Sequence, residues 1–264
     1  MDIIRFQVDT LRVEVHPDSQ SSGRAAAAAA AQAICKLNGI RDFVSVIFAT
    51  GASQLDTLGA LINRSDVPWN EIVGFHLDEY VGIDRNHPAS FRRYLRENLT
   101  SRVPLREFHE IDGNAVDLDS FCAAYAKKLH ESSPQLCLLG IGENGHLAFN
   151  DPGEADFKDP RDMKVVSLDF TCREQQAAEG WFRSWEEVPD RALTLTIPTI
   201  MRVPNLILTV PGERKAEIVR RALCEPISED CPATILRTHR NATVFLDAES
   251  ASKLELDAIA QQVR

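Results

Sequence analysis

Leu136-Cys-Leu-Leu-Gly-Ile-Gly-Glu-Asn-Gly-His-Leu-Ala-Phe-Asn-Asp-Pro-Gly153 runs from a short apolar segment straight into a loop with four glycines, a histidine and two carboxylates. The apolar run 136–139 reads as a buried strand. Glycines let the backbone behind it bend sharply and approach a ligand closely. His146 can exchange protons near neutral pH, and Asp151 lies five residues further on. A buried strand that ends in such a loop is where an open α/β sheet keeps its chemistry.

Outward from this stretch the same alternation of strand and helix repeats. Residues 11–15 alternate at period two, and Asp18 or Ser19 can cap a long helix through the alanine run 25–31. Alanine is the best helix former, so that run predicts a tightly packed helix rather than low complexity. Strands are expected at 43–48, 71–77, 136–141, 164–168, 205–210 and 243–246. Helices are expected at about 53–63, from Pro88 to about Asn98, near 117–131, from 171, from about 212, and at the C-terminus. Between 77 and 87 the chain reads as irregular. The pattern predicts one Rossmann-like α/β domain over 1–264, with a mostly parallel sheet and helices on both faces. Residues 154–188 break it with charges and two tryptophans, and are expected to form a lid-like insertion or small subdomain over the site.

Bulk properties narrow the partners. A formal charge of −10 argues against binding a nucleic-acid backbone, but a few local cations can still receive a small anion. No run of about 18 uncharged apolar residues exists to span a membrane. The six cysteines show no CxxC spacing, so reduced thiols in a cytoplasm are expected ahead of disulfides or zinc.

Four loops carry candidate chemistry. Gly140-x-Gly142-x-x-Gly145 matches the dinucleotide fingerprint in letters only, because a Phe-Asn-Asp-Pro-Gly turn follows where a helix should open. Ala49-Thr-Gly-Ala-Ser53 lies between a strand and a helix, where backbone N–H groups and the Thr50 and Ser53 hydroxyls can hold a phosphate; from this feature alone a plain turn capped by Ser53 reads slightly better. Val210-Pro-Gly-Glu-Arg-Lys-Ala216 repeats that arrangement with Arg214 and Lys215. Cations at a helix start oppose its dipole, so local stability does not explain them; a shared anion would, and that both side chains simply reach solvent is the other reading. Two adjacent carboxylates, Asp78 and Glu79, end the strand near 77, where a carboxylate can take a proton from carbon beside a carbonyl. In isolation a turn, with Asp78 bonded to backbone and Glu79 facing water, reads better. His146 has Asn144 and Asp151 as hydrogen-bond partners, and a histidine oriented by a carboxylate is a tunable acid/base. No HxH, HxxxH or HxxE falls on a predicted helix, so no metal is expected.

Together these loops resemble the glucosamine-6-phosphate deaminase (glucosamine-6-phosphate isomerase) family, in the superfamily with 6-phosphogluconolactonases. The resemblance is carried by Ala49-Thr-Gly51, Leu77-Asp-Glu-Tyr-Val-Gly82 followed by His87-Pro88, residues 140–152, Ala192-Leu-Thr194, Lys215-Ala216 and Pro232-Ala233. The lactonases tend to show Gly-His-x-Ala-Ser-Leu-Phe-Pro, so Phe149-Asn150 is similar to the deaminase side. What the resemblance implies is a cofactor-free conversion of glucosamine 6-phosphate to fructose 6-phosphate and ammonia. In that scheme His146 shuttles the ring-opening proton, with Asn144 and Asp151 beside it, and Asp78 moves a proton from C2 to C1. The substrate phosphate would lie on Thr50, Gly51, Ala52, Ser53 and Lys215, with Arg173 as the gripping arginine and Arg183 behind it.

Some members carry Asp where this chain has Asn144, and Glu where it has Asp151. Charge tuning of His146 then falls on Asp151 alone. Other readings of the same residues are a 6-phosphogluconolactonase, a deaminase for another hexosamine 6-phosphate, or a non-catalytic sugar-phosphate-binding protein. A small-molecule sugar phosphate is the expected partner, and a homo-oligomer stays open. The segment after Pro152 lacks the Ser-Ser-x-x-x-Arg-Thr-Arg-type run that forms the allosteric N-acetylglucosamine 6-phosphate site in some members. Initial-rate kinetics should therefore be unaffected by that ligand; a sigmoidal response that it relieves would overturn the expectation.

Overall fold

Strand-forming and helix-forming runs alternate along the chain in the computed structural model, which describes residues 3–168, 170–178 and 180–255. In chain order the elements are β1 (Ile4–Val8), β2 (Leu11–His16), α1 (Ser19–Asn38), β3 (Val44–Phe48), α2 (Leu55–Ile62), β4 (Ile72–His76), β5 (Asp78–Tyr80), α3 (Phe91–Leu95), β6 (Glu107–His109), α4 (Leu118–Ser132), β7 (Leu136–Leu139), β8 (Met163–Ser167), α5 (Phe170–Ala178), β9 (Arg191–Leu195), α6 (Ile197–Met201), β10 (Asn205–Val210), α7 (Ala216–Cys224) and β11 (Ala242–Asp247). The larger sheet has the order β1-β2-β11-β10-β7-β3-β4-β6. Its pairings are parallel apart from the β1–β2 hairpin.

Period-two alternation on the central strands sorts the core into two layers. Val44, Val46, Phe48, Leu136, Leu138, Ile207 and Phe245 meet α1, α2 and α3 on one face. Ile47, Cys137, Leu139, Leu206, Leu208, Val244 and Leu246 meet α4 and α7 on the other. The alanine run is what lets α1 lie close to the sheet: Ala26, Ala27, Ala30 and Ala31 are almost wholly buried, with Ile34 on the same face. Asp18 caps that helix, its carboxylate accepting from the Ser21 N–H at 2.7 Å.

The loop expected after residue 77 contains a strand. His76 is the last main-sheet residue; the Leu77 carbonyl already accepts from the Leu195 N–H at 3.1 Å, and at Asp78 the chain enters a second sheet of order β5-β9-β8, antiparallel throughout. β5 and β6 are three residues each, too short for a periodicity to show. β9 also went unread, because the partners it needs are remote in sequence. The second sheet packs Tyr80, Phe149, Val166, Cys172, Phe182 and Ala192 into a core of its own. Part of the stretch 154–188 is therefore strand β8 and helix α5 attached to that sheet.

Glu79 does not face water. It is fully buried and accepts from the Tyr80, Phe91 and Arg92 N–H groups and from the Ser90 hydroxyl at 2.9–3.1 Å. Those bonds satisfy the orphan donors at the start of α3, which explains why the helix begins at Phe91. Pro88, expected in the first helical turn, lies in the bend ahead of Ser90. The C-terminal helix expected after β11 falls largely on residues 256–264, outside the described residues. Among the described residues no helix is long and apolar enough to cross a membrane.

Replacing Glu79 by alanine strands several buried donors and the nearby Arg92 guanidinium. Each stranded donor costs about 1–3 kcal/mol, so Glu79→Ala should lose at least about 3 kcal/mol in urea unfolding. A loss below about 1 kcal/mol would show that the carboxylate is not the organising acceptor.

Candidate active site

Strands β3 and β7 are neighbours whose sheet-forming successors lie on opposite sides: β4 beyond β3, and β10 beyond β7. A crevice opens outside such a switch in direction, at the carboxyl ends of the strands. A cavity of about 640 Å³ occupies it, lined by the loops after β3, β4, β7, β10 and β11. That is room for a small ligand.

The loop after β7 is wound about its own side chains. Asp151 is buried, and its Oδ1 lies 2.9 Å from His146 Nδ1 and accepts from Asn144 Nδ2 at 2.7 Å. Asn144 Oδ1 in turn accepts from the His146 backbone N–H at 3.0 Å. Burial alone would raise the Asp151 carboxyl; the His146 charge and hydrogen bonds from His146, Asn144 and Cys172 outweigh it and bring it to about 2. An ionised Asp151 accepts from Nδ1–H, which leaves Nε2 as the acceptor nitrogen of the neutral ring. Gly142 is required here: a Cβ at that position would lie 2.1–2.3 Å from ring atoms of His146. Asn150 donates to the Leu147 and Leu195 carbonyls at 2.8 Å and so pins the loop to β9.

Asp78 stands at the seam between the two sheets, paired with Thr194 of β9, and lines the same cavity. Burial, and then the Glu79 carboxylate beside it, pushes its carboxyl well above the ordinary range. His76, at the end of β4, is fully buried and accepts from the Ile111 N–H at 3.3 Å. Burial and the Arg92 charge lower it to about 3, so it is a neutral structural group. His87 accepts from the Ala89 N–H and stacks on Phe182.

Thr50, Gly51, Ala52 and Ser53 all line the cavity at the end of β3, and Tyr94 donates its hydroxyl to the Gly51 carbonyl at 3.0 Å. Lys215 lines it from the end of β10. Of the expected residues the structure brings Asp78, His146, Thr50–Ser53 and Lys215 to the cavity wall, with Asn144 and Asp151 hydrogen-bonded to His146. It does not bring Arg173 there. That side chain donates to the Val188 and Glu186 carbonyls at 3.0 and 3.4 Å and lies over the Trp185 ring, because helix α5 turns it towards 184–188.

Several lining residues were not expected. Asp247 accepts from the Gly212 N–H with both oxygens, at 3.1 and 3.0 Å, and so shapes the loop that carries Lys215. Gly212 has φ +91, a left-handed backbone that L side chains seldom adopt. Like Asp78, Asp247 is an acid at the carboxyl end of a strand, a signal that could have found it. Glu143, also unexpected, pairs at 2.7 Å across two loops with Arg214, which the sequence already marks together with Lys215. Gln175, Gln176 and Trp181 reach the cavity from the insertion, and Gln176 accepts from the Tyr80 hydroxyl at 2.7 Å. Seven lining residues are Asp or Glu, whereas Arg214 and Lys215 are the Arg and Lys among the described lining residues, so the wall favours a ligand with a cationic as well as an anionic end.

Known proteins resemble this chain in sequence and in fold. The family model described as glucosamine-6-phosphate isomerases/6-phosphogluconolactonase matches residues 17–245. A glucosamine-6-phosphate deaminase of Exiguobacterium sp. is 34% identical over 218 residues, covering 83% of each chain. One from Listeria monocytogenes is 37% identical over 206 residues, 78% of this chain and 86% of that one. Among solved structures, a monomeric glucosamine-6-phosphate deaminase superposes with a TM-score of 0.83 at 32% identity, covering 91% of this chain and 99% of that one. A 6-phosphogluconolactonase from Thermotoga maritima shares the fold with a TM-score of 0.73 at 18% identity, over 90% and 99% of the two chains.

The depressed Asp151 carboxyl has a stability consequence. The folded state holds this proton less tightly than the unfolded chain, so the contribution is complete above about pH 4 and is lost as pH falls towards 2. Acid titration of unfolding free energy should show about 2 kcal/mol of this loss in the parent protein and none of it in Asp151→Asn. Parallel curves for the two proteins would refute the ionised pair.

Proposed function

This chain belongs to the family of glucosamine-6-phosphate isomerases and 6-phosphogluconolactonases, and we propose that it is a glucosamine-6-phosphate deaminase. It converts glucosamine 6-phosphate and water to fructose 6-phosphate and ammonia. The observation that carries this reading is the meeting of Asp78 with the His146–Asp151 pair in one cavity, beside two strand-to-helix loops suited to a phosphate. Curated relatives over most of the chain, at 34–37% identity, are named for that activity.

The sugar phosphate enters with its phosphate towards Thr50–Ser53 and Lys215. His146, its Nδ1 held by Asp151, uses Nε2 to carry the O1 hydroxyl proton to the ring oxygen, which opens the pyranose to the aldehyde. Asn144 stiffens this arm by bonding both the Asp151 carboxylate and the His146 backbone. Asp78 then takes the C2 proton and returns it at C1, passing through an enolamine to the C2 imine. Water adds at C2 and ammonia leaves. A carboxyl raised above its ordinary value is a stronger base for this step than a solvated aspartate. The acid-rich wall suits the amine end of the substrate and the paired cations suit its phosphate. The segment around α5, which supplies Gln175, Gln176 and Trp181, acts as a cover over the sugar within a single α/β domain. Six cysteines, none of them in a disulfide among the described residues, suit action in the cytoplasm.

Purified protein given glucosamine 6-phosphate should release ammonia and fructose 6-phosphate in equal amounts. Asp78→Asn should lower kcat by about 10²–10⁴-fold. In the parent protein kcat/KM should fall on the acid side through a pKa above the ordinary carboxylate range, because the ionised base is lost there. Hydrolysis of 6-phosphogluconolactone without ammonia release, unaffected by Asp78→Asn, would reject the deaminase.

A further inference from the structure

The expected phosphate arginine, Arg173, is committed to backbone carbonyls away from the cavity. A different guanidinium lines the wall. Arg214 precedes Lys215 in the loop after β10, and its Nη2 lies 2.7 Å from Glu143 Oε1 in the loop after β7. Both backbones are tied down. Asp247 holds the Gly212 N–H, and Gly142 N–H donates to the His146 carbonyl at 3.0 Å.

Two features of this pair lack a structural explanation. Arg214 sits at a helix start, where the dipole disfavours a cation. Its side chain is 57% exposed and that of Glu143 is 30% exposed, and so open a pair adds little to stability. Granting that the cavity takes a sugar phosphate, we propose that Arg214 is the arginine that grips the phosphate, and that Glu143 is the internal anion holding it in place beforehand. The planar guanidinium fork matches two phosphate oxygens, which a lysine cannot do. On binding, Arg214 exchanges a singly charged carboxylate for a dianion, and Glu143 turns to water at small cost because it is already partly solvated. Glu143 thereby weakens phosphate binding and biases the site against monoanions and unphosphorylated sugars.

Titration calorimetry with inorganic phosphate tests this in the parent protein, Glu143→Gln, Arg214→Gln, Arg214→Lys and the double Gln variant. Glu143→Gln should bind phosphate about 3–10-fold more tightly, since a competing charge at contact distance is removed. Arg214→Gln should bind about tenfold more weakly, and Arg214→Lys between the two. The double variant should match Arg214→Gln, because Glu143 acts only through Arg214. In turnover of glucosamine 6-phosphate the same order should appear in KM. Unchanged phosphate affinity in Arg214→Gln overturns the grip, and unchanged or weaker affinity in Glu143→Gln overturns the internal anion. If the affinity order holds while the parent protein releases no ammonia, the deaminase reading fails and the phosphate site stands.

Discussion

A single buried carboxylate organises the region on which the site depends. Glu79 is the middle residue of β5, just after the chain leaves the larger sheet, and it accepts from two N–H groups of α3, from Ser90 and from Tyr80. Those bonds fix the direction in which β5 departs. Asp78 is thereby held at the seam, close to Glu79 and screened from water. Burying an acid costs free energy, and the cost is met here by hydrogen bonds on both oxygens. The same burial makes the neighbouring Asp78 reluctant to ionise. Structure and basicity at this seam come from one arrangement.

The loop after β7 solves a related problem in a different way. There the buried acid, Asp151, is kept ionised by a histidine and an amide, and its carboxyl falls to about 2. Two buried aspartates, one on the cavity wall and one bonded to His146, are thus driven in opposite directions by their neighbours. Environments that push carboxyls apart in this manner separate a proton-accepting role from an orienting one. The other loops that line the cavity beside it follow β3 and β10, the two strands that flank β7 in the sheet. Position in the sheet, rather than in the sequence, decides which loops cooperate.

Much of this was legible beforehand for physical reasons that can be named. Buried parallel strands such as β7 and β10 are continuous apolar runs, and those runs stood out. The alanine run in α1 was readable because small side chains are what close helix–sheet packing needs. Asn144, His146 and Asp151 were readable as a group because they interact across a few residues of one loop. β5, β6 and β9 were not readable, since two are three-residue strands and β9 is ordered by remote partners. The place of Arg173 was not readable for a similar reason. A helix in the insertion can present a side chain either way, and contacts with Val188, Glu186 and Trp185 make the choice.

The amino-acid sequence by itself determined the alternating α/β architecture, the loops that carry chemistry, and the family to which those loops belong. Local bonding rules act over a few residues, so strands, caps and the His146 arm follow from neighbours in the chain. Only the tertiary structure decided that Glu79 is buried, that Asp78 lies on the seam of two sheets, and that Arg214 pairs with Glu143 of another loop. Each of these rests on contacts between segments far apart in sequence. Desolvation and charge pairing act through space, and no spacing along the chain records them.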